Sequence, residues 1–156
     1  LNDVLGEVRR ISHDLRPAIL DDLGLASALA HLAQEFTEHS ATPVHFSVEG
    51  NTDDLPDVAN TVLFRLAQEA LTNSERHAGA QRIDMMLVRT AKTTTLTVSD
   101  DGKGFDPERV ALHPKRGIGL RNMMERMDAI GGRLDIASSA DGTTVKASIK
   151  TEGLET

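Results

Sequence analysis

Residues 98–107, VSDDGKGFDP, follow an alternating apolar run and place three acids and two glycines close together. Such a stretch on its own is most often a surface turn. An EF-hand calcium loop is excluded, because the Glu required at its twelfth position is missing. The acid at the predicted strand end, Asp100, is the informative one. A carboxylate there can accept a hydrogen bond from an exocyclic amino group, which favours adenine over guanine.

The neighbouring residues of this stretch divide into two groups. Gly102 and Gly104 let the backbone pass close beside a ring or adopt a positive φ. Asp101 and Asp106 are predicted to face solvent or to belong to a lid. The pattern D-x-G-x-G after a strand therefore indicates one wall of a nucleotide pocket, provided that the rest of the chain supplies the other walls.

A second group of polar residues lies on the predicted helix 57–78, DVANTVLFRLAQEALTNSERHA, the longest helical pattern in the chain. Glu69 and Asn73 are one turn apart and border its apolar arc, with Arg76 and His77 beside them. A carboxylate and an amide oxygen so spaced can hold Mg²⁺ or its bound water, and the two basic residues can face phosphate oxygens. Taken alone, an amphipathic helix with a salt-bridged polar face is the more common explanation.

Two further short motifs contain glycine. KRGIGLRN (115–122) places G-x-G just before a helix, where backbone N–H groups and nearby basic side chains make a phosphate cradle. It lacks the Lys and Ser/Thr of a P-loop, and alone it is more often a helix-start turn. DGTTV (141–145) alone indicates a plain hairpin turn.

Hydrophobic periodicity predicts the order of elements along the chain. We expect helices at 4–15, about 23–39, 57–78 and about 119–130, strands at 43–50, 82–90, 93–100, 133–139 and 143–150, and a long functional loop at 101–119. This order favours an α+β fold, a two-layer sandwich in which helices cover one face of a mixed sheet.

Composition narrows the functional classes. The 156 residues suit one domain, and the absence of cysteine excludes disulfides and thiolate sites. A net charge of −7 disfavours nucleic acid as a partner. No apolar run approaches the roughly 20 residues of a membrane span, and no signal peptide is visible. The chain opens in a charged helical pattern without Met, as a piece of a longer protein would.

The order and spacing of the four motifs resemble the N, G1, G2 and G3 boxes of the GHKL (Bergerat) ATP-binding superfamily. This superfamily comprises histidine kinases, gyrase B, Hsp90 and MutL, and the resemblance spans about residues 43–150. The segment EVRRISHDLRPAILDDLGLASALAHLAQEF (7–36) is similar to the one preceding the ATPase domain in sensor histidine kinases of the nitrate/nitrite-sensor type. Gyrase- and MutL-like proteins lack such a leader.

The resemblance implies roles for individual residues. Asn73 would ligate Mg²⁺, and Glu69 would act as a base or help position metal and water. The remaining ATP-binding residues that it implies are Arg76 and His77 near the phosphates, Asp100, Gly102 and Gly104 at the adenine, Gly117, Ile118, Gly119 and Leu120 at the lid, and Thr143 or Thr144 on the adenine side.

Two positions depart from the family pattern. Arg76 stands where Lys is frequent, which keeps a cation at that place. Ser74 and Glu75 stand where apolar or small residues are usual, so we expect this turn to be more exposed than in relatives.

The function implied is that of the catalytic ATP-binding domain (21–152) of a two-component sensor histidine kinase, preceded by the end of a dimerisation helix and a linker (1–20). It would bind Mg-ATP and donate the γ-phosphate to a histidine outside this chain. His13, beside the LRP landmark, is not the predicted acceptor.

The partners implied are the protein's own dimerisation/phosphoacceptor domain and a response regulator. The isolated chain is expected to be monomeric, its parent a homodimer, and this domain cytoplasmic, whether or not the parent is membrane-anchored. The alternatives are a GHKL module that uses ATP as a conformational switch, a degenerate interaction domain, and a serine kinase of the anti-sigma-factor type.

Overall fold

The computed structural model describes residues 18–40, 42–75, 79–103 and 118–150. Its elements are, in chain order, α1 (Ala18–Leu23), α2 (Leu25–Ser40), β1 (Val44–Glu49), α3 (Asp57–Asn73), β2 (Ile83–Arg89), β3 (Thr93–Asp100), α4 (Ile118–Ala129), β4 (Arg133–Ser139) and β5 (Gly142–Lys150). Apart from α1, the predicted order is confirmed over these ranges. The predicted helix at 4–15 and most of the predicted lid lie outside the described residues.

The five strands form one mixed sheet in the order β1-β2-β3-β5-β4. β1 and β2 are parallel, and the other neighbouring pairs are antiparallel. Alternate residues of β2 are buried, with Ile83, Met85 and Leu87 on the inner face and Asp84 and Met86 exposed on the other. Since side chains alternate between the faces of a strand, the helices cover one face only. The predicted two-layer α+β sandwich is confirmed.

Helix α3 lies at the centre of the core. Its apolar arc, which includes Leu63, Leu66 and Leu71, is fully buried, and Met123 and Met127 of α4 complete the core beside it. Burying side chains of this size stabilises the fold by roughly 1.5–3 kcal/mol each. In a chain without Trp or Tyr, aliphatic and Met side chains therefore supply the packing.

The short helix α1 was not predicted. Gly24, at φ 87°, donates its N–H to Leu20 O at 3.2 Å and ends α1 in a left-handed turn, after which α2 starts at once. Leu20 is buried in the core, which fixes α1 against the domain. The predicted helix begins at about residue 23, so the prediction includes α2 and leaves out α1.

The topology brings three chain segments to one end of the sheet. β3 ends at Asp100, β5 begins beside it, and Asp100 and Thr143 are paired in the register. The C-terminal end of α3 approaches the same place through Ser74. None of the helices that the structure describes is long and apolar enough to cross a membrane.

Candidate functional site

The carboxylate of Asp100 is held from two backbone segments. Its Oδ1 accepts the N–H of Gly102 at 3.0 Å and the N–H of Thr143 at 3.3 Å. The first donor belongs to the glycine motif that follows β3, and the second to the late G-T-T motif. Two of the four sequence motifs therefore meet at one carboxylate oxygen.

The other oxygen of Asp100 is bound from the helical layer. Ser74 Oγ donates to Asp100 Oδ2 at 2.7 Å. Ser74 directly follows α3, where the chain widens into a π-turn over 74–75 and the Ser74 N–H points at Ala70 O and Leu71 O. The expectation of a more exposed turn is wrong for Ser74, which is only 6% exposed. Its polarity is satisfied by the carboxylate rather than by solvent, whereas Glu75 is exposed.

The arrangement leaves Asp100 with capacity for a ligand. A carboxylate offers about four acceptor positions, and the described donors use three of them. Asp100 is itself only half-buried. An incoming amino group can therefore reach a carboxylate whose orientation is already fixed.

Glu69 and the start of α4 lie against each other. A Cβ placed on Gly119 would overlap the Glu69 carboxylate, so a side chain at this position would require Glu69 to shift. Gly119 stands between Ile118 and Leu120 in the first turn of α4. The helix motif that contains Glu69 and the G-x-G motif that contains Gly119 therefore also meet, at the edge of the same site.

Asn73 lies one turn beyond Glu69 on α3, and both side chains are half-buried. They present an amide and a carboxylate oxygen, the donor chemistry that suits Mg²⁺. Within the described ranges, no three His, Cys, Asp or Glu side chains come together as a metal site. This donor set fits an ion shared with phosphate and water better than an all-protein cage.

The two candidate threonines lie on opposite faces of β5. Thr143 is buried on the helix side, with Oγ1 2.7 Å from Ser138 Oγ. Thr144 Oγ1 lies 3.0 Å from Ser99 Oγ, and successive residues of a strand point to opposite faces. The structure thus brings Thr143, and not Thr144, to Asp100.

Asp101 has a structural role that the sequence did not reveal. Its Oδ1 accepts the N–H groups of Gln81 at 2.8 Å and Arg82 at 3.0 Å, which ties the start of β2 to the end of β3. These hydrogen bonds, that of Arg82 first, lower the pKa of Asp101. The prediction that Asp101 faces solvent is confirmed by its exposure, and the two hydrogen bonds add a structural role that the sequence did not reveal.

Several predicted site residues lie outside the described part of the chain. These residues are Arg76, His77, Gly104 and Gly117, and Asp106 of the predicted lid is a further one. The fold conversely gives a role to two residues to which the sequence analysis assigned none. Ser74 is the first, and its only signal was a polar side chain where small or apolar ones are usual. The second is Gly142, at φ 138°, where a Cβ would overlap the backbone oxygen of Asp100.

Comparison with curated proteins finds relatives along nearly the whole chain. Sensor histidine kinase MctS of Rhizobium johnstonii is 47% identical over 147 residues, which are 94% of this chain and 32% of MctS. The histidine-protein kinase/phosphatase DegS of Brevibacillus brevis is 40% identical over 147 residues, 93% of this chain and 37% of DegS. The chain thus spans about a third of the length of these relatives.

Solved structures share the fold. The histidine kinase domain from the Erythrobacter litoralis EL346 blue-light activated histidine kinase superposes with a TM-score of 0.64 at 24% identity, covering 80% of this chain and 64% of that one. The catalytic domain of histidine kinase ThkA gives a TM-score of 0.61 at 17% identity, covering 81% and 89%.

A family model decides the assignment. The model described as histidine kinase-, DNA gyrase B-, and HSP90-like ATPase matches residues 59–153, which include Glu69, Asn73, Asp100 and Thr143. The match covers more than half of the chain and extends through both motifs that meet at Asp100. The chain therefore belongs to the histidine kinase-, DNA gyrase B- and HSP90-like ATPase family, and within it is similar to the sensor histidine kinases MctS and DegS.

Proposed function

We propose that this domain binds Mg-ATP at the Asp100 end of the sheet and donates the γ-phosphate to a histidine outside these 156 residues. The observation that carries the proposal is the Asp100 carboxylate, fixed by Gly102, Thr143 and Ser74 beside the helix that bears Glu69 and Asn73. Its relatives among sensor histidine kinases support the same direction.

In this proposal Asp100 selects the base. The 6-amino group of adenine donates to the carboxylate, whereas guanine and hypoxanthine would bring a carbonyl oxygen to the same place. The carbonyl oxygen and the Asp100 carboxylate are both acceptors, so the carboxylate would have no donor there. Such an unpaired contact is costly where water is excluded. Gly102 and Thr143 form the backbone wall around this contact, with Gly104 proposed beside them.

The phosphates would lie toward Glu69 and Asn73. We assign Mg²⁺ to Asn73, with Glu69 positioning metal and water or acting as a base. Bound there, Mg²⁺ supplies positive charge that neutralises the phosphate oxygens. Gly119 allows α4 to begin close to this edge of the site. Arg76, His77 and the segment around Gly117 are proposed to face the phosphates.

The proposed transfer is in-line and depends mainly on positioning and electrostatics. The bond between the γ-phosphorus and its bridging oxygen breaks, ADP keeps that electron pair, and an imidazole nitrogen forms the new bond to phosphorus. Residues 1–20 are assigned to the end of a dimerisation helix and its linker, and 21–152 to the catalytic domain. The acceptor would belong to the protein's own dimerisation domain, and a response regulator would receive the phosphate next.

The proposal also covers the state of the protein. We expect a monomer for the isolated chain, a homodimer for its parent, and a cytoplasmic location for this domain, where ATP is available. Size-exclusion chromatography with light scattering of the isolated chain tests the first of these expectations. A stable dimer at micromolar concentration would contradict it.

Calorimetry tests nucleotide binding. The wild type should bind Mg-ATP, Asp100→Asn should lose most of the affinity, and Asn73→Asp should mainly change the dependence on Mg²⁺. Asp84→Asn makes the same chemical change on the exposed face of the sheet, at an aspartate paired with Arg82, and should bind as the wild type does. A wild type that binds no Mg-ATP would remove the proposed function.

Labelling with γ-³²P ATP tests the transfer. The 156-residue chain should acquire no stoichiometric acid-labile phosphate, and a longer polypeptide from the parent that includes the preceding helix should. Stoichiometric labelling of the short chain would refute an external acceptor. Binding without any transfer would favour the conformational switch, and acid-stable phosphate on a partner protein would favour the serine kinase.

A further inference from the structure

The Ser74 hydroxyl is not among the groups proposed to touch the nucleotide, yet it is hydrogen-bonded to a residue that is. It is buried, with 6% of the residue exposed, and it reaches Asp100 Oδ2 at 2.7 Å. The two residues are 26 positions apart and belong to different layers of the fold. This hydrogen bond is therefore a direct link between the helix that bears Glu69 and Asn73 and the strand that ends in Asp100.

The consequence for Asp100 follows from the geometry of a carboxylate. Gly102 and Thr143 both donate to Oδ1, so they restrain the torsion about Cβ–Cγ from one oxygen only. The terminal torsion of Asp is broad and has little preference of its own. A charge-assisted O–H···O⁻ bond is short and strong. Ser74 thereby restrains the second oxygen as well and narrows the range over which the carboxylate plane can turn.

We infer that Ser74 is a positioning residue that sets base specificity by aiming the remaining acceptor position of Asp100 Oδ2 at the 6-amino group of an adenine nucleotide. This inference rests on the proposed function and deepens it. Ser74 need not touch the nucleotide, since it acts through Asp100. The ligand class that it selects is a 6-aminopurine nucleotide, in preference to 6-oxopurines such as inosine or guanosine triphosphate.

A purely structural role for Ser74 makes a different prediction. If the hydroxyl only stabilises the fold by its hydrogen bond, its removal would lower the affinity for every nucleotide by the same factor. If it aims the carboxylate, the loss depends on the 6-amino group. The two cases are separated by comparing ATP with purine riboside triphosphate, which lacks that group, because a double cycle isolates the coupling between two partners.

The experiment measures affinities of the 156-residue chain for both magnesium nucleotides by calorimetry. Ser74→Ala should lower the affinity for Mg-ATP by about tenfold or more, which corresponds to the loss of one hydrogen bond to a charged group. The same variant should lower the affinity for purine riboside triphosphate by less than about twofold. It should also reduce the ratio of the affinity for ATP to that for inosine triphosphate. Ser74→Cys keeps a weak donor and should lie between the wild type and Ser74→Ala.

Ser99→Ala is the matched control. It removes a hydroxyl from the residue next to Asp100, but that hydroxyl lies 3.0 Å from Thr144 Oγ1 on the other face of the sheet. This variant should bind all three nucleotides as the wild type does. Thermal unfolding of each variant shows whether it is folded at the temperature of the titrations.

The outcomes are distinct. Equal weakening of ATP and purine riboside triphosphate by Ser74→Ala, or no weakening of either, would overturn the inference while leaving ATP binding in place. A wild type that binds neither nucleotide would instead overturn the proposed function, and this inference with it. A loss confined to the 6-amino nucleotide, graded through Ser74→Cys, supports it.

Discussion

The Glu69 carboxylate lies so close to Gly119 that a Cβ at position 119 would have to displace it. One belongs to the central helix and the other to the first turn of α4. The helix that follows the predicted lid is therefore seated on the carboxylate proposed to position metal and water. A substitution at either residue is therefore expected to change the energetic effect of a substitution at the other.

Gly119→Ala tests this contact. Alanine is favoured over glycine in a helix by about 0.5–1 kcal/mol, but here its Cβ must displace Glu69. We expect little or no gain in the free energy of unfolding in the wild-type background, and the full gain in a Glu69→Ala background. Denaturant unfolding of the four proteins gives the coupling, and strictly additive effects would show that the contact has no energetic weight.

Gly142→Ala should damage the site through the backbone. Gly142 is at φ 138°, and a Cβ there would overlap the carbonyl oxygen of Asp100. Gly131, at φ 70° with open space around it, is the matched control. Gly131→Ala should cost about 1–2 kcal/mol of stability, from backbone strain, and leave Mg-ATP affinity unchanged. Gly142→Ala should cost more stability and also reduce affinity, measured by unfolding and calorimetry.

Thr143→Val and Thr144→Val separate the two faces of β5. The Thr143 hydroxyl anchors that residue to Ser138, and its N–H holds Asp100. We expect Thr143→Val to cost about 1 kcal/mol of stability, the value of one neutral hydrogen bond, and to lower Mg-ATP affinity. Thr144→Val should leave the affinity unchanged. If calorimetry instead shows that Thr144→Val lowers the affinity more than Thr143→Val does, the nucleotide lies on the face of the sheet away from the helices, which would contradict the proposed site.

Asp101 should make stability depend on acidity. The amide hydrogen bonds from Arg82 and Gln81 lower its pKa from the ordinary value of 3.8. A lowered pKa means that the ionised carboxylate contributes stability that is fully present above the unfolded value and is lost as pH falls through the folded one. Wild type should thus exceed Asp101→Asn in stability at neutral pH.

That difference should shrink below about pH 4. Urea unfolding of both proteins between neutral and acidic pH measures it. A difference that stays constant over this range would show that the carboxylate charge does not matter at this position. Asp84→Asn, on an exposed pair with Arg82, serves as the control for a general effect of removing one negative charge.

The fold was largely predictable because its signals are local. The inner positions of β2 and the apolar arc of α3 follow the periods of a strand and a helix, and they are buried as those periods require. Helix α1 escaped detection: the predicted helix begins at about residue 23, and Gly24, which ends α1, lies at its start. A left-handed residue changes the path of the chain without changing its hydrophobic spacing.

The site was predictable only where the chemistry is carried by a recognisable spacing. Asp100 and Glu69 were identified in this way, and the roles proposed for them remain predictions. Other contacts depend on which segments the fold brings together. These are the hydrogen bond from Ser74 to Asp100 and those from the Gln81 and Arg82 N–H groups to Asp101. No spacing along the chain encodes such contacts, so Ser74 and Asp101 were assigned to solvent.

The pairing of β3 with β5 also has a consequence for how the domain matures. The Thr143 N–H that holds Asp100 comes from the strand farthest along the described chain, while Ser74 comes from a helix made much earlier. During synthesis, Asp100 therefore stays incompletely bound until β5 has left the ribosome and inserted between β3 and β4. The described donors to Asp100 are therefore complete only once β5 has been synthesised and has paired with β3.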